Sequence, residues 1–513
     1  MPGSTLVLPI VSGRIEADPI RYREIIVDPT GREGQFKWLR DAVEFVNTKA
    51  SASSPWLVRL LPGTYNEDKY GSLFVFPGYV HFAGAGMGRT IVERTIGMPD
   101  PYQNLPGDAV FDLVNPASLT SAGASNVTFS GMTVRHTGVR TTGGSGSTPT
   151  AIQASNSRYL RLFDVRAEGT GIGLMNFSKD QIQAFAPLLS EATTMYAVGC
   201  QFRATQGDGL YTAQRDVVLD GCICSVDTTG MPTASFMFTV SGGRFWEWTR
   251  VFARGTLFHA RIAGSATLGT DGSGYESQRV INAALRVDDT ASESEATLDG
   301  NCTAILDITA DVNLPNTGFA AISLGGGQSG GVKSQFFLNG ASARYKTITG
   351  LTAARLVSGV TTWAVGSGVG VEMFLSDVDC EDLGGTGGTA RGDLSIEDRE
   401  AVGVHKMPDK VYINGGRIKS IVYPIDTPGA AQMVEIGRSE NTLNFQSGTA
   451  TLVAGTKAVT LPKPYPTNVL DYEVLVESPV SEYFNISAKS ETGFTINSNV
   501  GGSTSTVRWV VRR

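Results

Sequence analysis

The sequence predicts an all-β protein: a right-handed parallel β-helix with an N-terminal capping helix and a C-terminal antiparallel β-sandwich. Three observations predict it. One short apolar pattern recurs along most of the chain, an amphipathic helical stretch precedes its first copies, and beyond residue 432 the pattern gives way to plainly alternating strands. Composition agrees. At 513 residues the chain exceeds one ordinary compact domain, and its 61 glycines with only 18% charged residues favour turns and strands over helices.

The recurring pattern is apolar, any, apolar, two turn-like residues, apolar, any, apolar. It reads VTFSGMTV from Val127, LRLFDVRA from Leu160, MYAVGCQF from Met195 and VVLDGCIC from Val217. It continues as WEWTRVFA from Trp246, FFLNGASA from Phe336, MFLSDVDC from Met373 and VYINGGRI from Val411, with VINAALRV from Val280 as a looser copy. Starts about 20 to 40 residues apart, with one longer gap before Phe336, are the mark of stacked repeats. Alternation on both sides of a two-residue corner describes two short strands meeting at a bend. A single repeat cannot bury its apolar side, but coils stacked about 4.8 Å apart can.

Corner pairs such as Ser130-Gly131, Asp220-Gly221, Asn339-Gly340 and Asn414-Gly415 suit left-handed backbone angles. Asp220, Asn339 and Asn414 share one corner column and Asp164 and Asp377 the next, so a turn role accounts for them. The pattern also explains the cysteines. Cys200 and Cys222 fall in one apolar column, and Cys224 and Cys380 in the other, so they are expected as core hydrophobes rather than a redox pair. An odd count of five in so long a chain argues against a disulfide framework, and four scattered histidines offer no metal-ligand spacing. No metal and no cofactor is expected.

At the N-terminal end, GQFKWLRDAVEFV places Phe36, Leu39, Ala42, Val43 and Val46 on one helical face, between the strands REIIVD and WLVRLLPGTY. This helix is expected to cover the first coil, since an open β-helix end is a bare edge. The stretch from about residue 26 to 95 resembles the entry region of pectin-lyase-like and pectinesterase-like β-helices. The likeness is carried by Pro62-Gly63-Thr64-Tyr65, Gly84-Ala85-Gly86 and Thr90-Ile91. The pectinesterase active-site segments have no counterpart beyond a faint echo in QGDGLY, Gln206 to Tyr211.

Past YPIDTPGAAQ come TATLVAGTKAVTLP, YEVLVESP, FNISAKSETGFTINS and VRWVVRR. These strands predict a small sandwich over 433–513. They resemble the C-terminal β-domains of phage tail fibres and spikes. Together the two resemblances match the layout of bacteriophage tailspikes. That family implies a homotrimer in the virion tail, bound to a tail or adaptor protein and contacting host cell-surface polysaccharide through the β-helix flank. The expected division is then residues 1–25 as a virion-attachment segment, 26–432 as the β-helix and 433–513 as the tip domain. No secretion signal is read in MPGSTLVLPIVSGRIEADP, and no apolar run is long enough to insert in a membrane. A net charge of −7 without a basic cluster argues against nucleic acid as a partner.

Tailspikes often cleave the polysaccharide they bind, usually with two carboxylates. Acids in one column of adjacent coils sit about 5 Å apart, and staggered pairs reach about 6.5–9.5 Å. Glu168 in RAEGTGIGL and Asp208 in TQGDGLYT precede similar glycine-rich strands and are expected to face one groove as the catalytic pair. Arg166, Arg203 and Tyr211 are the expected ligand-binding residues beside them. The plainer reading, solvated turn acids, stays open. Trp246 and Trp248 fall in apolar columns, and the Arg391-Gly392-Asp393 triplet reads as exposed loop. Binding with cleavage, binding without it, and a free polysaccharide-active enzyme with an accessory domain are the functions that remain.

Overall fold

The computed structural model describes residues 22–69, 71–96, 109–113, 115, 123–138, 149–154, 157–176, 194–212, 216–229, 240–246, 249–262, 281–288, 295–299, 301–308, 318–326, 334–346, 357–365, 371–383, 390–396, 405–406, 410–418, 421–422, 434–436, 445–461, 473–477, 483–490 and 492–512. They form a right-handed parallel β-helix with two long sheets and, from Phe445 on, two short antiparallel sheets.

The first sheet carries the predicted repeat. Each coil contributes two strands joined at the corner, and neighbouring coils pair in strict parallel register. Leu160↔Met195↔Val217↔Val251 runs before the corner and Ala167↔Phe202↔Cys224↔Phe258 after it. These columns point inward, and all of these residues belong to one continuous core. The corner uses left-handed angles at Gly131, Asp164, Gly199, Gly221, Gly340, Asp377 and Gly415, which explains the Gly/Asp/Asn choice there. All five cysteines are free and buried, three of them (Cys200, Cys222, Cys302) in the column just beyond the corner, with Thr256 between Cys222 and Cys302. They are wall.

One copy of the repeat sits in a different register from the sequence reading. The coil strand is Arg250–Arg254, so Val251 and Ala253, read as the inward residues after the corner, stand before it, and Phe258 follows it. A further coil, Glu295–Asp299 followed by Thr303–Ile308, fills the long gap before Phe336. Trp246 ends a strand of the second sheet, as do the residues from Ile281 to Asp288 that looked like a loose copy. Trp248 lies outside the described residues.

The second sheet is the third wall. Its strands include Thr150–Gln153, Ile172–Asn176, Asp208–Thr212, Ser241–Trp246, Ile281–Asp288, Gly318–Gly326, Val357–Val365 and Ala390–Ile396, all paired in parallel. Where this wall approaches the first sheet, the contact is backbone on backbone. A Cβ at Gly209 would lie 2.5 Å from Ser225 O and 2.8 Å from Phe202 O, and one at Gly242 2.5 Å from Cys224 O. Only glycine fits there. The Arg-Gly-Asp triplet belongs to this wall too. Asp393 is buried in the strand Ala390–Ile396 and accepts a 2.7 Å hydrogen bond from Tyr345 Oη, so the exposed-loop expectation is corrected.

The helix is Leu39–Asn47, with Leu39, Ala42, Val43 and Val46 buried as the periodicity predicts. Arg40 donates to the carbonyls of Gly71 and Ser72 and lies 3.6 Å from Glu67, tying the helix to the coils beneath. Burial pushes the Glu67 carboxyl up to about 7, against the pull of Arg40.

In the C-terminal region Phe445–Thr451, Thr506–Arg512 and Glu473–Glu477 form one antiparallel sheet, and Thr456–Thr460, Gly493–Ser498 and Phe484–Ser490 the other. Leu452, Val459, Phe494, Ile496, Val507, Trp509 and others make a core of their own.

Candidate functional site

In each strand of the first sheet the residues between inward positions face away from the core, so every coil adds one residue to each outer column. Beyond the corner one column reads Glu93↔Arg135↔Glu168↔Arg203. Glu93 pairs with Arg135, and Glu168 Oε1 lies 3.8 Å from Arg203 Nη1 and 3.7 Å from Arg166 Nε. Gln201 Oε1 accepts from both arginines, at 3.0 Å from Arg166 Nε and 2.8 Å from Arg203 Nη2. Alternating signs along a column neutralise one another, so this is a self-satisfied charge ladder.

Asp208 lies elsewhere. It opens a strand of the second sheet, is fully buried, and accepts a short hydrogen bond from Ser241 Oγ one coil on. Glu168 is half-buried among its arginines on the first sheet, so the single shared groove expected for these two acids is not what the structure forms. The five expected site residues fall into two groups: Glu168 with Arg166 and Arg203, and Asp208 with Tyr211.

Tyr211 is 5% exposed and stands in a column of the second sheet that runs Gln153↔Met175↔Tyr211↔Arg244↔Arg286↔Ser323. Inward columns lie on either side of it, with Leu210, Leu285 and Ile322 in one and Phe245, Val287 and Leu324 in the other. The Arg244 guanidinium sits over the Tyr211 ring, 4.7 Å from its centroid. Sequence reasoning missed Arg244 and Arg286. The only available signal was the segment GGRFW, whose last residue, Trp246, is read in the sequence as the start of a first-sheet repeat.

Another outer column of the first sheet lies before the corner: Tyr196↔Val218↔Phe252↔Thr297↔Phe337↔Phe374↔Tyr412. Its described aromatic side chains are half-buried on an otherwise charged face. Phe337, Phe374 and Tyr412 stack with centroids 4.8 Å apart and planes within 6°. Their faces are spent on each other, and the column shows ring edges to the outside. Charges flank it, among them Asp216–Arg250 at 2.6 Å and the Asp220–Arg254 pair. The column escaped notice because these positions are the unconstrained ones of the repeat.

Among the described residues no group of three His, Cys, Asp or Glu side chains is arranged to hold a metal ion. Burial lowers the pKa values of His81 and His259. No described helix is long and apolar enough to cross a membrane.

The walls, the corner and the cap define a protein of the parallel β-helix class. Among solved structures it is similar to a Geobacillus virus E2 protein, ORF18 (TM-score 0.38, 10% identity, covering 93% of this chain and 77% of that one). It is also similar to the tailspike protein gp49 of Pseudomonas phage LKA1 (TM-score 0.31, 11% identity, 92% and 91% covered) and to the pectin methylesterase PemA of Erwinia chrysanthemi (TM-score 0.32, 9% identity, 81% and 93% covered). No protein-family model matches the chain, and no curated protein does.

Proposed function

We propose that the chain is a subunit of a homotrimeric phage spike, carried in the virion tail, that adheres to host cell-surface polysaccharide. The observation that carries this reading is the in-register stacking of outer columns over many coils. A surface that repeats at about 4.8 Å is suited to long, repetitive partners rather than to a small molecule. In this reading the aromatic column is where copies of the chain associate. Its exposed ring edges offer apolar contact without the open faces that sugar stacking uses. The region from 433 onward is the tip domain, and an adaptor or tail protein meets the opposite end.

Adhesion is proposed rather than cleavage. Glu168 is held by two arginines, and Asp208 is enclosed on another sheet, so the two do not make a facing acid and base. The test is the mass of the purified chain in solution, followed by its binding to polysaccharide extracted from candidate hosts. A trimer that turns monomeric on Phe374→Arg and binds such polysaccharide supports the reading. A stable monomer sinks the spike, and a trimer that ignores every polysaccharide sinks the adhesion.

A further inference from the structure

The rings of Phe337, Phe374 and Tyr412 are spent on one another. In the C-terminal region one ring is not. Tyr483 is 81% exposed, and among the described residues it stacks on no other ring. Its backbone is nonetheless fixed. The Tyr483 N–H donates to Asn499 Oδ1 at 3.0 Å, and the Asn499 N–H donates to the Tyr483 carbonyl at 3.0 Å. The turn after Asn499 is tied to the hairpin at Gly455, through Gly455 N–H to Ser503 O at 2.9 Å and Ser498 N–H to Gly455 O at 2.8 Å. A ring on a held backbone loses little freedom when a partner covers it.

Tyr483 stands in step with a polar face. Phe484 and Ile486 pack on the C-terminal core, while Tyr483, Asn485 and Ser487 alternate with them and are exposed. Across the sheet Asn485 is opposite Asn497, and Asn497 is opposite Thr456. Thr456 Oγ1 donates to Asn497 Oδ1 at 3.1 Å, and Asn497 Nδ2 donates to Ser487 Oγ at 2.8 Å. Ser487 therefore keeps its own proton for an outside acceptor. None of these outward residues is charged. Three strands about 4.8 Å apart make a face roughly 10 Å wide.

Hydroxyls and amides on a fixed face, with one open ring at its end, are complementary to a sugar. Sugar hydroxyls exchange hydrogen bonds with side chains that both donate and accept, and the C–H face of a sugar lies on the ring. An acidic sugar would find no opposite charge among these residues, so the match is to neutral units. A second copy of the chain fits less well, since the centre of a stable protein contact is apolar and this face offers a single ring. We infer that this face, with Tyr483 at its end, is a docking surface for neutral sugar units of the host polysaccharide. The inference rests on the adhesion reading and adds a contact in the C-terminal region to the repeating flank of the coils.

The experiment uses the full chain. Surface polysaccharide from candidate hosts is split by anion exchange into a neutral and an acidic fraction, and binding of each is read by biolayer interferometry. The wild-type chain is expected to bind the neutral fraction. Tyr483→Ala weakens that binding about tenfold and Asn485→Ala about threefold, while Tyr483→Phe, which keeps the ring, retains it. Lys457→Gln, one position off the face, leaves it unchanged. Melting temperature and solution mass verify each variant. If Tyr483→Ala fails to fold, nitration of wild-type Tyr483 by tetranitromethane replaces it. Protection by the neutral fraction is then expected, and equal nitration with and without it overturns the surface. Full-strength binding of the neutral fraction by Tyr483→Ala overturns the surface and leaves adhesion standing, as does binding confined to the acidic fraction. Loss of the oligomer in Tyr483→Ala makes the face a contact between copies and overturns the inference. If the wild-type chain binds neither fraction, adhesion itself fails and the inference falls with it.

Discussion

The two long sheets of the coil stack solve the same geometric problem with different chemistry. On the first sheet two outer columns are closed on themselves. Acid alternates with base from Glu93 to Arg203, and ring stacks on ring from Phe337 to Tyr412. On the second sheet a column sets arginine beside arginine under an enclosing surface. In a stacked fold every side chain meets its column neighbour at a fixed short distance, so a column of complementary neighbours needs nothing from outside.

Four outcomes would break or sharpen that contrast. The inner wall sets the scale. Phe202→Ala, which empties a fully buried position, is expected to cost about 3–5 kcal/mol, read as a lower chemical-denaturation midpoint or a shorter half-life on heating. A loss as small as that of an outer-column change would show that the coil interior is not the main source of stability.

Next comes the capped end, where Glu67 is an acid that folding has made harder to ionise. Its folded pKa of about 7 lies above its ordinary 4.5, so the native state binds the extra proton between those values. Stability contributed by this group is therefore fully present below about pH 4.5, declines as pH rises to about 7 and is flat above that, a span on the order of 3 kcal/mol. Glu67→Gln should remove that slope from a pH series of melting temperatures. An unchanged slope would assign it to other groups.

Tyr345→Phe, which strips the buried Asp393 carboxylate of its hydroxyl donor, should cost about 1–3 kcal/mol. The smallest effect belongs to the first-sheet ladder. A double-mutant cycle on Glu168→Gln and Arg203→Gln is expected to give a coupling of about 0.2–1 kcal/mol that fades in high salt, with glycan affinity untouched. A loss of glycan binding in Glu168→Gln would give the ladder a part in recognition.

The first sheet was readable in the sequence because its inward residues alternate cleanly and its corners demand Gly, Asp or Asn, as at Gly131, Asp164 and Gly221. The fate of the cysteines followed from that register. The second sheet was not readable, and the reason is physical. In Asp208–Thr212 every residue is buried, inward and outward positions alike, so the alternation that marks a strand with one wet face vanishes. Without that wall in view, Glu168 and Asp208 looked like equivalents on neighbouring coils. The same blindness displaced Trp246 by one element and hid Arg244 and Arg286. The aromatic column was lost for the opposite reason: its members sit at positions the repeat leaves unconstrained, where Phe252, Thr297 and Phe337 look unrelated until coils are stacked.

The glycine contacts at 209 and 242 carry a consequence for how such a molecule changes over time. Where one wall rests its backbone directly on the other, no side chain larger than a hydrogen has room between them. Substituting a single residue at Gly209 breaks a contact that no neighbour can remake. Removing or duplicating a whole coil keeps such contacts where the turn carries its own glycine, as the turns of Gly173, Gly209 and Gly242 do, together with its corner and inward residues. The fold is therefore brittle letter by letter and forgiving by the stanza, and its length is the easiest property to revise.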